Sequence, residues 1–139
     1  MADVMQVRTV TLEAARRAVT ACVERARELG IEVAIAVVDQ AGNLKAFARM
    51  DGAPLLSSRI AQEKAWTAAA FGIPTHAWWD LVKDEPPLLH GIVKTDRLIV
   101  FGGGVPLRSA GEVVGGIGVS GGSADQDREL AEAGAAVIS

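Results

Sequence analysis

The chain reads as an α+β domain in which helices flank an antiparallel sheet. Three features lead to that class. With 139 residues it is long enough for one real core, because a domain of this size buries roughly two-thirds of the surface its unfolded chain exposes. Its strand-like segments come in pairs joined by short turn sequences, so hairpins outnumber parallel crossovers. Segments with helical periodicity stand before, between and after those pairs, which favours an antiparallel sheet covered by helices over a doubly wound one.

Taken in order, Thr11 caps a helix in which Leu12, Ala15, Val19, Cys22, Val23, Ala26 and Leu29 recur at helical spacing, and Gly30 stops it. Ile31–Val38 is apolar on both sides apart from Glu32, the pattern of a central strand. Asp39-Gln40-Ala41-Gly42-Asn43 turns the chain into a second strand, Leu44–Arg49. Pro54 suits the first position of an alanine-rich helix that carries Lys64 and ends at Phe71, before Gly72 and Pro74. Thr75–Leu89, with Trp78 and Trp79, reads as a surface excursion holding one short helix that Pro86 and Pro87 end. Arg97–Phe101 and Glu112–Val119 are expected as two further strands, joined through Gly102-Gly103-Gly104-Val105-Pro106 and a turn at Ala110-Gly111. Ser123 and Gln126 fit a capping box, and the helix it opens runs on through Leu130 to Val137.

Half of the residues are hydrophobic and 22% are charged, with no charge run or low-complexity tract, so residues 1–139 are expected to form one domain. The net charge of −3 and the dispersal of Lys and Arg along the chain argue against a nucleic-acid partner. Cys22, the only cysteine, excludes an internal disulfide and reads as an inert core thiol suited to a reducing compartment. No basic leader precedes an apolar core at Met1–Val7, and no apolar run approaches the ~20 residues of a membrane span. A cytoplasmic protein without a membrane partner is the expectation.

Two patterns overlap in the glycine-rich last strand. Gly116-Ile117-Gly118-Val119-Ser120-Gly121 satisfies G-x-G-x-x-G, but a dinucleotide site needs another strand after the next helix and an acidic residue about 20 positions on, and the chain offers neither. Gly118-Val119-Ser120-Gly121-Gly122 fits the nucleophile elbow, but that fold places its histidine after the serine, whereas His76 and His90 both precede Ser120. A simpler reading is that Gly116 and Gly118 leave one strand face bare, so that a helix or a ligand can approach the backbone. Gly121 and Gly122 stand just before the helix capped by Ser123, where free amides and the helix dipole attract a carboxylate or phosphate. Asp125 and Asp127 lie in the first turn of that helix and complement its dipole.

Lys64 shares a helix stripe with Ile60, Ala68 and Phe71, so its stem lies on apolar surface and its ammonium reaches an edge, facing solvent or a pocket. Arg49 and Asp51 cluster at a strand end, where sites often form. His76 and His90 have no Cys or His partner at zinc-ligand spacing, so no metal site is expected.

Ala36-Val37-Val38-Asp39-Gln40-Ala41-Gly42, Arg49-Met50-Asp51-Gly52-Ala53, Lys64-Ala65-Trp66-Thr67-Ala68, Gly103-Gly104-Val105-Pro106, and Val114 through Gly122 with Gln126-Asp127 together resemble the GlcG/HbpS-like family. This family, also described as DUF336 or haem-degrading domains, includes the C-terminal part of PduO-type proteins, and the likeness spans nearly the whole chain. It implies a profilin-like fold, an antiparallel sheet of about five strands with helices around it, and a homo-oligomer. Some relatives bind haem, others belong with glycolate or diol metabolism, and others with ring-cleavage products.

Three functions follow. The first in rank is binding of, or action on, a small carboxylate metabolite in a catabolic pathway. Lys64 and Arg49 then hold the anion, Asp51 or Asp127 moves protons, and Ser120, Gly121, Gly122 and His90 line the site. The second is haem binding, with His76, His90 or Met50 as the axial ligand. It ranks lower because the resemblance places a histidine in or near the first helix, and Thr11–Gly30 contains none. The third is an accessory, oligomer-forming subunit without turnover.

Overall fold

A computed structural model describes all residues from Met1 to Ser139. The elements in chain order are α1 (Leu12–Leu29), β1 (Ala34–Asp39), β2 (Leu44–Arg49), α2 (Leu55–Phe71), α3 (Trp78–Val82), α4 (Pro86–Gly91), β3 (Gly104–Ser109), β4 (Glu112–Ser120) and α5 (Ala124–Ala135). The strands form one antiparallel sheet in the order β2-β1-β4-β3, so the sheet has four strands where about five were expected.

The sheet is sandwiched. On one face Ile35, Val37, Ile117, Val119 and Leu107 pack against Ala15, Ala18, Cys22 and Ala26 of α1 and Leu130 and Ala131 of α5. On the other, Ala34, Ala36 and Val38 meet Ala61 and Ala65 of α2. The contact with α2 is unusually close. A Cβ added at Gly118 would lie 2.0 Å from the Ala61 carbonyl oxygen, and one at Gly116 would lie 2.2 Å from that of Ala65. Gly104, paired with Gly118 across β3 and β4, would strike the Lys64 carbonyl at 2.5 Å. The bare strand face is therefore the bed of helix α2, and a ligand has no room there.

The helix ends follow the sequence signals. Thr11 Oγ1 accepts the Ala14 amide, both halves of the Ser123–Gln126 capping box are formed, and Gly30 and Gly72 close α1 and α2 in the left-handed conformation. The excursion departs in one detail, since Pro86 opens α4 instead of ending a helix, the position where its missing N–H costs least.

The main correction concerns the third strand. Arg97–Phe101 is not a strand, and Gly104–Ser109, expected to begin as a connection, is β3. Thr67 on α2 takes the backbone of the earlier segment, its hydroxyl donating to the Arg97 carbonyl at 2.7 Å and accepting from the Ile99 amide at 3.0 Å. Pro106 is tolerated in β3 because β3 is an edge strand and needs no amide on its outer side.

Candidate functional site

Lys64 is not at an edge. It is 1% exposed, and its Nζ donates to the Val119 carbonyl at 2.9 Å and to Asp127 Oδ2 at 3.1 Å. The Phe101 ring lies over the ammonium, 5.0 Å from centroid to Nζ. Gly103 seals the remaining side, where a Cβ would fall 2.6 Å from Nζ and 2.9 Å from the Asp127 Cβ. Burial lowers the Lys64 pKa from its ordinary value, and the Asp127 carboxylate pulls in the opposite direction without cancelling that effect.

The second oxygen of Asp127, Oδ1, accepts the Gly122 amide at 2.9 Å. Ser123 N–H is taken by Gln126 Oε1 and Gln126 N–H by Ser123 Oγ. The Gly122 amide, one of the two expected to attract an anion, is thus met from within the chain, and the carboxylate at this helix start is Asp127 itself. Gly121, at a φ of 138°, brings the chain within 2.9 Å of the Glu32 carbonyl, measured from an added Cβ.

Lys64, Asp127, Gly122 and the end of β4 are therefore brought together. Arg49 lies apart from them. Ala34 of β1 pairs with Arg49 on one side and Ser120 on the other, so the three residues form one row across the end of the sheet. Arg49 Nη2 donates to the Asp51 carbonyl at 3.4 Å. Both residues line a groove of about 430 Å³ beside the C-terminus of α1, with Arg27, Val23, Ile31 and Met50. Met50 Sδ accepts the Val33 amide at 3.5 Å on that wall. His90 is exposed on α4 and lines no cavity. His76 also lines none. Its Nδ1 is buried without a partner, and burial, followed by the charge of Arg128, lowers its pKa.

Sequence reasoning missed Arg27, which ends the exposed side of α1, and it missed the largest cavity, about 610 Å³, between α2 and the β1–β2 hairpin. Trp66 and Arg97 line it. The signal was Gly42 in the hairpin turn, whose added Cβ would strike the Trp66 ring at 2.8 Å. No group of three or more His, Cys, Asp or Glu residues is placed to hold a metal ion, and no helix is long and apolar enough to cross a membrane.

The residues fit haem poorly. None of the cavities is lined by a histidine, and Met50 is the one side chain on a cavity wall among those considered as axial ligands.

Known proteins place the chain in context. It is 40% identical over 129 residues to an uncharacterized 15.0 kDa protein from the dhaT-dhaS intergenic region of Citrobacter freundii, covering 91% of this chain and 90% of that one. The crystal structure of Klebsiella pneumoniae ORFY superposes with a TM-score of 0.93 at 37% identity, covering 99% and 95% of the two chains. That of a PduOC:heme complex superposes with a TM-score of 0.85 at 36% identity, covering 94% and 95%. The model of the family described as "Haem degrading protein HbpS-like" matches residues 10–136, and the chain belongs to that family.

Proposed function

We propose that the protein binds a small carboxylate metabolite in a catabolic pathway, with the anion held by Arg49 and Arg27 in the groove at the end of β2. One observation carries this reading. Two guanidinium groups share a groove with the apolar side chains of Val23, Ile31 and Met50, and neither is engaged in a salt bridge, although Glu32 and Asp51 line the same groove. A guanidinium presents a planar fork that matches a carboxylate, and the apolar wall takes the carbon skeleton. Asp51, on the same groove, is the group placed to move a proton if the ligand is turned over. Lys64 and Asp127 then act by positioning, since each already satisfies the other.

Mass spectrometry of ligands released from the purified protein, followed by titration of the carboxylate found, tests the reading. Arg49→Ala and Arg27→Ala are each expected to raise its Kd about tenfold, the equivalent of ~1.4 kcal/mol. Unchanged affinity in both variants would sink the assignment.

Haem binding is the second reading, supported by the related PduOC:heme complex and by the Met50 sulfur on the groove wall. A Soret band on haem titration that Met50→Ala abolishes would favour it over the carboxylate. We also take the protein to be a cytoplasmic homo-oligomer. The third reading, an accessory subunit, requires assembly with no bound metabolite.

A further inference from the structure

The cavity between α2 and the β1–β2 hairpin is separate from the arginine groove and has a composition of its own. Leu44, Leu55, Leu56 and Trp66 line it together with the polar Ser58, Gln62 and Glu63, and its volume is about 610 Å³. The leucines are 50%, 85% and 65% exposed, a large apolar surface for a soluble chain to leave in water. Arg97 is its weakly paired cation. The guanidinium carbon stands 4.2 Å from the Trp66 ring centroid, and its nearest carboxylate oxygen, on the neighbouring Asp96, is 4.0 Å away. No side-chain hydrogen bond occupies its donors, whereas Arg59, the other cation of the cavity, is paired with Glu63 at 2.8 Å.

The position of Arg97 is built, not incidental. Its backbone lies at a φ of +64°, a region costly for a residue with a Cβ. The fully buried Thr67 holds it there through the hydroxyl bonds to the Arg97 carbonyl and the Ile99 amide. Gly42, at a φ of +87°, gives way to the indole on the opposite side. The fold thus fixes an indole under a guanidinium that makes no hydrogen bond and only a long contact to Asp96, beside three leucines.

From this arrangement we propose that the cavity binds a planar monocarboxylate larger than a single ring. The carboxylate pairs with the fork of Arg97, and the rings lie against the leucines and the exposed part of Trp66. The volume exceeds what a one-ring acid fills and is within the range of small-molecule sites. Stacking on Trp66 limits the freedom of the guanidinium, so less is lost when it pairs.

The test uses 2-naphthoate as the probe and its neutral analogue 2-naphthamide, followed by tryptophan fluorescence and calorimetry. 2-Naphthoate is expected to bind at least tenfold more tightly than the amide. Arg97→Gln should weaken the acid at least tenfold and bring it level with the amide, while Trp66→Phe removes most of the fluorescence change. Because Arg97 sits at a positive φ, Leu56→Glu provides a second variant on an exposed helical position that leaves the fold intact, and it should weaken the acid by a similar factor. Arg49→Ala should leave this site unchanged, which separates it from the carboxylate groove. Equal binding of acid and amide overturns the proposal. So does retained affinity in both Arg97→Gln and Leu56→Glu, or a cavity filled by a second copy, seen as a mass that falls in Leu56→Glu without any binding by the wild type.

Discussion

Lys64 carries a charge whose hydrogen-bond partners are Asp127 and the Val119 carbonyl. Removing one member of a buried pair leaves the other desolvated and alone, so Lys64→Met is expected to cost about 3–5 kcal/mol in urea denaturation. The double variant Lys64→Met/Asp127→Leu should recover much of that loss, because apolar replacement of both members removes the stranded charge. Recovery of stability without change in ligand affinity would mark the pair as structural. The same residue predicts a pH dependence. Its folded pKa is lowered from 10.5, so between the two values the unfolded chain holds more protons and stability rises with pH. Differential melting of wild type against the double variant should show the wild type gaining as pH approaches 10.5 from below; a flat difference would refute the lowered pKa. The sequence marked Lys64 and Asp127 as charged residues in apolar or capping positions. Their partnership was hidden because 63 positions separate them, and only the return of α5 over the end of β4 brings them together.

At the scale of elements, the glycines of β4 decide how closely α2 can lie. Gly118→Ala puts a methyl group 2.0 Å from the Ala61 carbonyl, a backbone atom that cannot swing aside. The helix must lift from the sheet, and the loss is expected to reach or exceed the ~1–3 kcal/mol typical of overpacking. Gly91→Ala is the control, since a Cβ there meets nothing and α4 should be unchanged or slightly stabilised. Equal stability of the two variants in chemical denaturation would contradict the packing argument. The sequence specified local elements well: β2, the turn at Ala110-Gly111 and the Ser123 cap all stand where turn and cap chemistry put them. It misplaced β3 because the backbone of Arg97–Ile99 is claimed by Thr67, a tertiary hydrogen bond that periodicity cannot register. The bare face of β4 was legible as a close approach, but whether helix or ligand makes it depends on Ala61 and Ala65 being small, and that needs the register of α2 on the sheet.

The whole molecule exposes more than a monomer of its mass should. Its accessible surface is 7719 Å², against about 6,900 Å² for a folded monomer of 14.5 kDa by the usual mass scaling. Part of the excess is the extended run before α1, where Val4, Met5 and Val7 are exposed, and part is the end of α2 and α3, where Phe71, Trp79 and Leu81 are each more than half exposed. Apolar surface of this kind is most simply covered by another copy, in line with the homo-oligomer implied by the family resemblance. Sedimentation equilibrium at micromolar concentration is expected to give a mass that is a whole multiple of 14.5 kDa and greater than one chain. Trp79→Glu/Leu81→Glu changes only exposed side chains, so its circular dichroism should match the wild type while its mass falls. A wild type that sediments as a single chain would remove the assembly. The exposed run before α1 and the face of α3 would then be surface that a monomer leaves uncovered.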